Sequence, residues 1–144
     1  MLKYKKLDMT NHYDCKVIFE NIFNPDEYPD HDFDFEWTSM LKYGKIYGIF
    51  DNEKIIGFCS WVKFNDVQYM NICNLTIDKL YQRKGYGKKL TKYVLNKVKN
   101  KKNDIIIHTN EKDFFESVGF DVVIDFEDDD TQPYRYIMIY KFNI

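Results

Sequence analysis

The sequence predicts an α/β (α+β) fold in one domain over residues 1–144, and three observations carry that prediction. Segments with apolar residues at a period of about 3.6 alternate with β-branched and aromatic runs, and no linker parts them. A chain of 144 residues with 44% hydrophobic and 18% aromatic content builds one packed core and is short for two. Neither an internal repeat nor a low-complexity segment interrupts the alternation.

Taken in order, "LKYKKL" (Leu2 to Leu7) suits a first strand. "NHYDCKVIFENIF" places Tyr13, Val17, Ile18 and Phe23 at helical spacing behind a Thr10 or Asn11 cap. Two prolines break "NPDEYPDHDFDFEW", after which "FEWTSMLKYG" gives a second helix ending near Gly44. "KIYGIFD" and "KIIGFCSWVKF" read as a hairpin turning at Asn52-Glu53, and "VQYMNICNLTID" as a long following strand. From Gly85 the period changes. Tyr86, Leu90, Tyr93, Val94 and Val98 share one face while Lys88, Lys89, Lys92 and Lys99 stay solvated, an amphipathic helix of about four turns. "NDIIIHT" is a buried strand and "EKDFFESVGF" a short helix closed by Gly119. "DVVIDF" and "YRYIMIYKF" make a closing pair around an acidic turn.

Composition removes several function classes. With 21 cationic and 23 anionic side chains and a net charge of -2, the chain is not built to coat nucleic acid or an anionic membrane. The basic start "MLKYKKLDMT" has no apolar run behind it, and no stretch nears the roughly 18 to 20 apolar residues of a membrane span, so a cytoplasmic protein is expected. Cys15, Cys59 and Cys73 are odd in number and lack metal-type spacing. With only His12, His31 and His108 beside them, they support neither a disulfide framework nor a metal site and read as packed thiols.

The segment with the most chemical content is "YQRKGYGKKL", Tyr81 to Leu90. Gly85 and Gly87 lie where a strand passes into a helix, so the backbone can take unusual φ/ψ and a ligand can approach main-chain N–H groups. The first helical turn leaves unpaired donors at the positive end of the dipole, which favours a phosphate or pyrophosphate, and Arg83, Lys84 and Lys88 add charge. Spacing excludes two nucleotide motifs. "GYGKKLT" lacks the span of a Walker A loop, and a dinucleotide fingerprint needs glycine where Leu90 stands.

The run Gln82-Arg83-Lys84-Gly85-Tyr86-Gly87 resembles the pyrophosphate loop of the GNAT superfamily of acyl-CoA N-acyltransferases. It follows "NLTID" on a long strand and opens an amphipathic helix, as in that family, and "EKDFFESVGF" looks like the family's last helical segment before Gly-Phe. The order of elements matches from the first strand to the last. The resemblance implies a mixed, mostly antiparallel sheet of six to seven strands with about four helices, splayed between the fourth and fifth strands. It implies acetyl-CoA in that gap, with no metal. Main-chain groups at Leu75 and Ile77 would pair with the pantetheine arm, and Gln82, Arg83, Lys84, Gly85, Tyr86, Gly87 and Lys88 would hold the pyrophosphate. Asn110, or His108 in an ungapped register, matches the family's asparagine that contacts the CoA arm.

An amine acceptor has a pKa near 10, as for Lys, and must lose a proton before it attacks. His108, at the end of the fifth strand, is the first choice as base. Asp66 is the remote carboxylate alternative, and Cys73 reads as a packing residue because the family transfers directly. The family's usual acid is a tyrosine where Phe115 stands here, so Tyr134, Tyr81, Tyr136 or solvent must substitute, or the thiolate leaves unaided. Two acidic runs surround the expected acceptor end. Asp26, Glu27, Asp30, Asp32, Asp34 and Glu36 lie before the second helix, and Glu127, Asp128, Asp129 and Asp130 lie in the last turn. Both favour a cationic acceptor if they converge. The expected function is therefore an N-acetyltransferase acting on a primary amine of a small molecule or peptide, as a monomer or homodimer. The alternative is a catalytically weak acyl-CoA-binding module.

Overall fold

Seven β-prone segments become strands: β1 (Leu2–Lys6), β2 (Gly44–Asp51), β3 (Lys54–Val62), β4 (Tyr69–Ile77), β5 (Asp104–Thr109), β6 (Asp121–Asp125) and β7 (Tyr136–Tyr140). Four amphipathic segments become α1 (His12–Ile22), α2 (Phe33–Tyr43), α3 (Tyr86–Val98) and α4 (Lys112–Ser117). The computed structural model describes residues 1–63, 69–99, 104–127 and 129–142, without the side chains of Tyr69, Met70 and Cys73. The strands form one sheet ordered β1-β2-β3-β4-β5-β7-β6, antiparallel throughout except for the parallel pair β4–β5 that α3 connects. The mixed, mostly antiparallel sheet with four helices is thus the fold that the sequence predicts.

The sheet divides the core in two. Cys15, Ile18, Phe19, Phe33, Trp37 and Met40 of α1 and α2 pack on one face with Ile46 and Phe58 of the sheet. Leu90, Val94 and Val98 of α3 and Phe115 and Val118 of α4 pack on the other with Ile56, Ile105 and Ile107. β5 shows the two-residue period that permits this: Ile105, Ile107 and Thr109 are buried, whereas His108 between them is exposed.

One local expectation changes. The buried face of α1 is Cys15, Ile18 and Phe19, with Ile22 packed beside them, while Tyr13 and Val17, four apart on another face, are exposed. The 3-10 turn before α1 is capped by Asp8, whose side chain accepts from Thr10 while Asn11 reaches back to the Asp8 N–H, and Asn11 is the N-cap of α1, one of the two caps that the sequence offers. The hairpin turn falls at Asn52 as read, with Asn52 at φ 57 supplying the left-handed residue that a glycine would otherwise give.

The feature that positions a site is the parting of β4 from β5. Their pairing runs Tyr69↔Asp104, Met70↔Ile105 and Asn71↔Ile106, and stops there. β4 stays paired with β3 as far as Ile77, and β5 stays paired with β7 as far as Thr109. From Ile72 to Ile77 the β5-side edge of β4 therefore has no strand partner among the described residues. Among these residues no helix is long and apolar enough to cross a membrane.

Candidate active site

Downstream of the free edge, the chain is held by side chains before it enters α3. The Asp78 carboxylate accepts from the Leu80 N–H at 3.0 Å and starts a turn over Lys79–Tyr81. Gln82 Nε2 donates to the Ile77 carbonyl at 2.9 Å, lashing the loop back to the last residue of β4. Gln82 thus braces the loop through its side chain. Arg83 at φ 62 and Gly85 at φ 87 both take left-handed backbone. In a non-glycine residue such a conformation costs about 1 to 3 kcal/mol and persists only where the surroundings impose it.

This geometry leaves a row of donors. Gly85 is the α3 N-cap with no side-chain hydrogen bond, and the first ladder bond from this turn is Lys89 N–H to the Gly85 carbonyl at 3.1 Å. Among the described residues the N–H groups from Arg83 to Lys88 have no main-chain acceptor. A Cβ built on Gly85 meets no atom within 4 Å, so the space beside this residue is open. At Gly87 a Cβ would lie 3.5 Å from the Phe114 ring, in ordinary van der Waals contact. Unpaired N–H groups, the positive end of the helix dipole and the cations of Arg83, Lys84 and Lys88 give this turn the chemistry that an anion such as a phosphate requires.

A cavity of about 400 Å³ opens at the fork between β4 and β5. α2 supplies Phe35, Glu36, Ser39 and Met40 to its wall, β3 supplies Val62, and β4 supplies Asn71, Ile72 and Asn74. His108, two residues past the last β4–β5 pair, and Tyr134, just before β7, complete it. The two catalytic residues expected from sequence, His108 and Tyr134, therefore line one cavity. His108 has no hydrogen-bond partner among the described residues.

Sequence reasoning did not single out the β4 bulge. Phe58 pairs with Thr76 and Ser60 with Cys73, so Cys59 alone faces Asn74 and Leu75. Asn74 sits at φ 49 in this bulge. Its Nδ2 donates to Glu36 Oε2 at 2.9 Å and lies 3.5 Å from Met40 Sδ. Glu36 and Met40 are four apart on α2 and so share the face turned to the bulge. The sequence signal was an asparagine inside an otherwise apolar strand, a residue that tolerates left-handed backbone.

Other expected residues are placed elsewhere. Asn110 Oδ1 accepts from the Arg135 N–H at 2.8 Å and ties the end of β5 to the turn before β7. Phe115 is a core ring packed edge-on against Phe114 and Phe120. Tyr81 packs beside Tyr86 under Lys54 and Lys84, and Tyr136 lies beneath Arg135, so of the three tyrosines Tyr134 lines the cavity. Asp66 and Asp128 lie outside the described residues, as does the Cys73 side chain. Cys15 is fully buried, and burial pushes its thiol up.

Two carboxylates of the acidic run at the start of α2 are engaged in holding the fold. Asp32 caps α2 by accepting from the Phe35 N–H at 3.1 Å. Asp34 bonds Lys16 and His12 of α1, which hold its carboxyl below the usual range. In the last turn Asp129 bonds Thr131, and Asp125 pairs with Arg135 at 2.9 Å. Among the described residues, Glu36 is the acidic side chain that lines the cavity. Among the described residues no group of three His, Cys, Asp or Glu could hold a metal ion.

Comparison with known proteins agrees with this geometry. The sequence model of the Acetyltransferase (GNAT) family matches residues 12–120, which takes in both the loop and the fork. No curated protein matches the sequence. Among solved structures, the ribosomal-protein-S18-alanine N-acetyltransferase from Escherichia coli superposes with a TM-score of 0.78 at 15% identity, over 100% of this chain and 96% of that one. The PaiA N-acetyltransferase from Thermoplasma acidophilum, in complex with coenzyme A, gives 0.73 at 15% identity over 99% of each chain. N-acetylglutamate synthase from Neisseria gonorrhoeae, complexed with coenzyme A and L-arginine, gives 0.72 at 13% identity over 99% of this chain and 34% of that one.

Proposed function

The chain belongs to the GNAT acetyltransferase family, and from that premise we propose that it moves an acetyl group from acetyl-CoA to a primary amine of a small molecule or peptide in the cytoplasm. The observation that carries this reading is the continuity of two unpaired backbone surfaces: the edge of β4 up to Ile77 and the N–H groups from Arg83 to Lys88. An extended arm can add to the first as a strand does, and a pyrophosphate can sit on the second. Leu75 and Ile77 would hold the arm and Arg83 to Lys88 the pyrophosphate, with Gln82 bracing the loop.

Acetyl-CoA supplies the activated acetyl group and departs as the thiol. His108 takes the proton from the acceptor's ammonium in the cavity, where the geometry lets an imidazole and an amine share the space beside the fork. Tyr134, in the same wall, is the hydroxyl able to give a proton back to the departing sulfur. Phe115 favours one second reading, a module that binds acyl-CoA without efficient turnover, because a core phenyl ring cannot donate a proton.

A thiol-release assay with acetyl-CoA against a panel of amines separates the two. The transferase reading predicts acceptor-dependent release of coenzyme A with saturation in both substrates. Tight acetyl-CoA binding with no release above the rate without amine supports the binding module instead.

A further inference from the structure

We propose that Glu36 reads the acceptor's ammonium, so that the substrate class is a cationic primary amine on an uncharged, partly apolar body, and acceptors bearing a carboxylate are rejected. The inference rests on the transferase reading and names the substrate class of its second site. Among the described residues the cavity wall carries one carboxylate and neither a lysine nor an arginine. Glu36 is half-buried, and Asn74 Nδ2 fixes its Oε2 at 2.9 Å. Its other oxygen has no partner among the described residues, which leaves it for a donor on the ligand. An ammonium there gains a charge-assisted hydrogen bond in a partly desolvated setting.

A carboxylate on the acceptor meets the opposite situation. Among the described residues the cavity wall offers it no lysine or arginine, only the His108 imidazole that the acceptor's own proton would occupy, and it would share the cavity with the Glu36 carboxylate. That is discrimination by repulsion in addition to attraction. The body of the acceptor is read by different atoms. Phe35, next to Glu36, is 69% exposed on the cavity rim, and with Met40, Val62 and Ile72 it offers apolar surface to an uncharged group. An exposed phenyl ring beside a fixed carboxylate suits an ammonium carried on an apolar stem. Of the acidic runs on either side, Asp32, Asp34 and Asp129 are engaged in holding the fold, and among the described residues Glu36 alone of these carboxylates lines the cavity.

The test is calorimetric titration of the chain, with and without saturating coenzyme A, by L-leucine amide and L-leucine. A pH of about 6.5 keeps both α-amines protonated. The amide should bind at least tenfold more tightly than the free acid, and Glu36→Gln should weaken the amide at least fivefold and reduce the preference to about threefold or less. Equal or tighter binding of leucine, or a preference that survives in Glu36→Gln, overturns the inference. Normal coenzyme A affinity without amide preference overturns the inference alone, whereas amide preference without coenzyme A binding overturns the transferase reading alone.

Discussion

Residues 83–88 present main-chain N–H groups from one contiguous stretch, whereas the cavity at the fork takes its side chains from α2, β3, β4, β5 and the turn before β7. The first region depends on φ/ψ, and its requirements are met by Gly85 and by the strained Arg83. The second depends on packing, since Glu36 reaches the cavity only because α2 lies on the sheet face where β4 bulges. A contact through main-chain amides tolerates side-chain change and fails on backbone change. A contact through converging side chains does the reverse. Substitutions in the two regions should therefore separate donor binding from acceptor chemistry.

The largest separation is expected at His108. His108→Ala should lower kcat by about a hundredfold, within the range for loss of a general base, and remove one ionisation from the pH profile of kcat. Acetyl-CoA affinity should stay within about twofold. A variant with the parent rate and profile would make His108 a bystander on the cavity wall.

A smaller split comes from Asn74, where backbone and side-chain roles meet. Asn74→Gly keeps φ 49 accessible, so thermal stability should hold, but it removes the hydrogen bond to Glu36. KM for the amine should rise by about threefold to tenfold, consistent with a hydrogen bond to a charged group, while KM for acetyl-CoA should not move. Asn74→Ala should add a loss of stability, because alanine resists left-handed backbone. Equal behaviour of the two variants would contradict the role given to the bulge.

The smallest effect is expected at Asp125. Its hydrogen bond from Arg135 holds the Asp125 carboxyl below the usual range, so its contribution to stability is present above ordinary carboxylate pKa values, and is lost as pH falls through the depressed folded value. The pair is exposed and its contribution modest. Asp125→Asn should therefore flatten the acid limb of thermal stability below about pH 4. By loosening the turn that carries Tyr134, it should also raise the amine KM by about twofold. An unchanged acid limb in thermal melts would remove the pair from the account.

How much the sequence revealed follows the same division. The strand-to-helix turn was legible because its requirements are local: two glycines two apart, between a β-rich run and a 3.6-period helix, mark the helix start that Gly85 caps in left-handed backbone. The strands and α3 were legible for the same reason. The α1 face was misjudged because two apolar pairs at helical spacing compete, and Cys15, Ile18 and Phe19 take the sheet side while Tyr13 and Val17 fall outside. The acidic run before α2 looked like a uniform field, yet Asp32 and Asp34 hold the fold while Glu36, two residues on, faces the cavity. Nothing in one chain's local pattern marks which carboxylate will meet a bulged asparagine 38 residues away.

The most direct test of the central claim, that the backbone from Arg83 to Lys88 holds the donor, is the affinity of acetyl-CoA for Gly85→Val measured by calorimetry beside the parent chain, with circular dichroism to establish that both are folded. A β-branched residue at φ 87 must move the backbone that carries the donors, although its side chain itself meets open space. Affinity should fall at least tenfold, about 1.4 kcal/mol. An unchanged affinity in a folded variant would contradict the account.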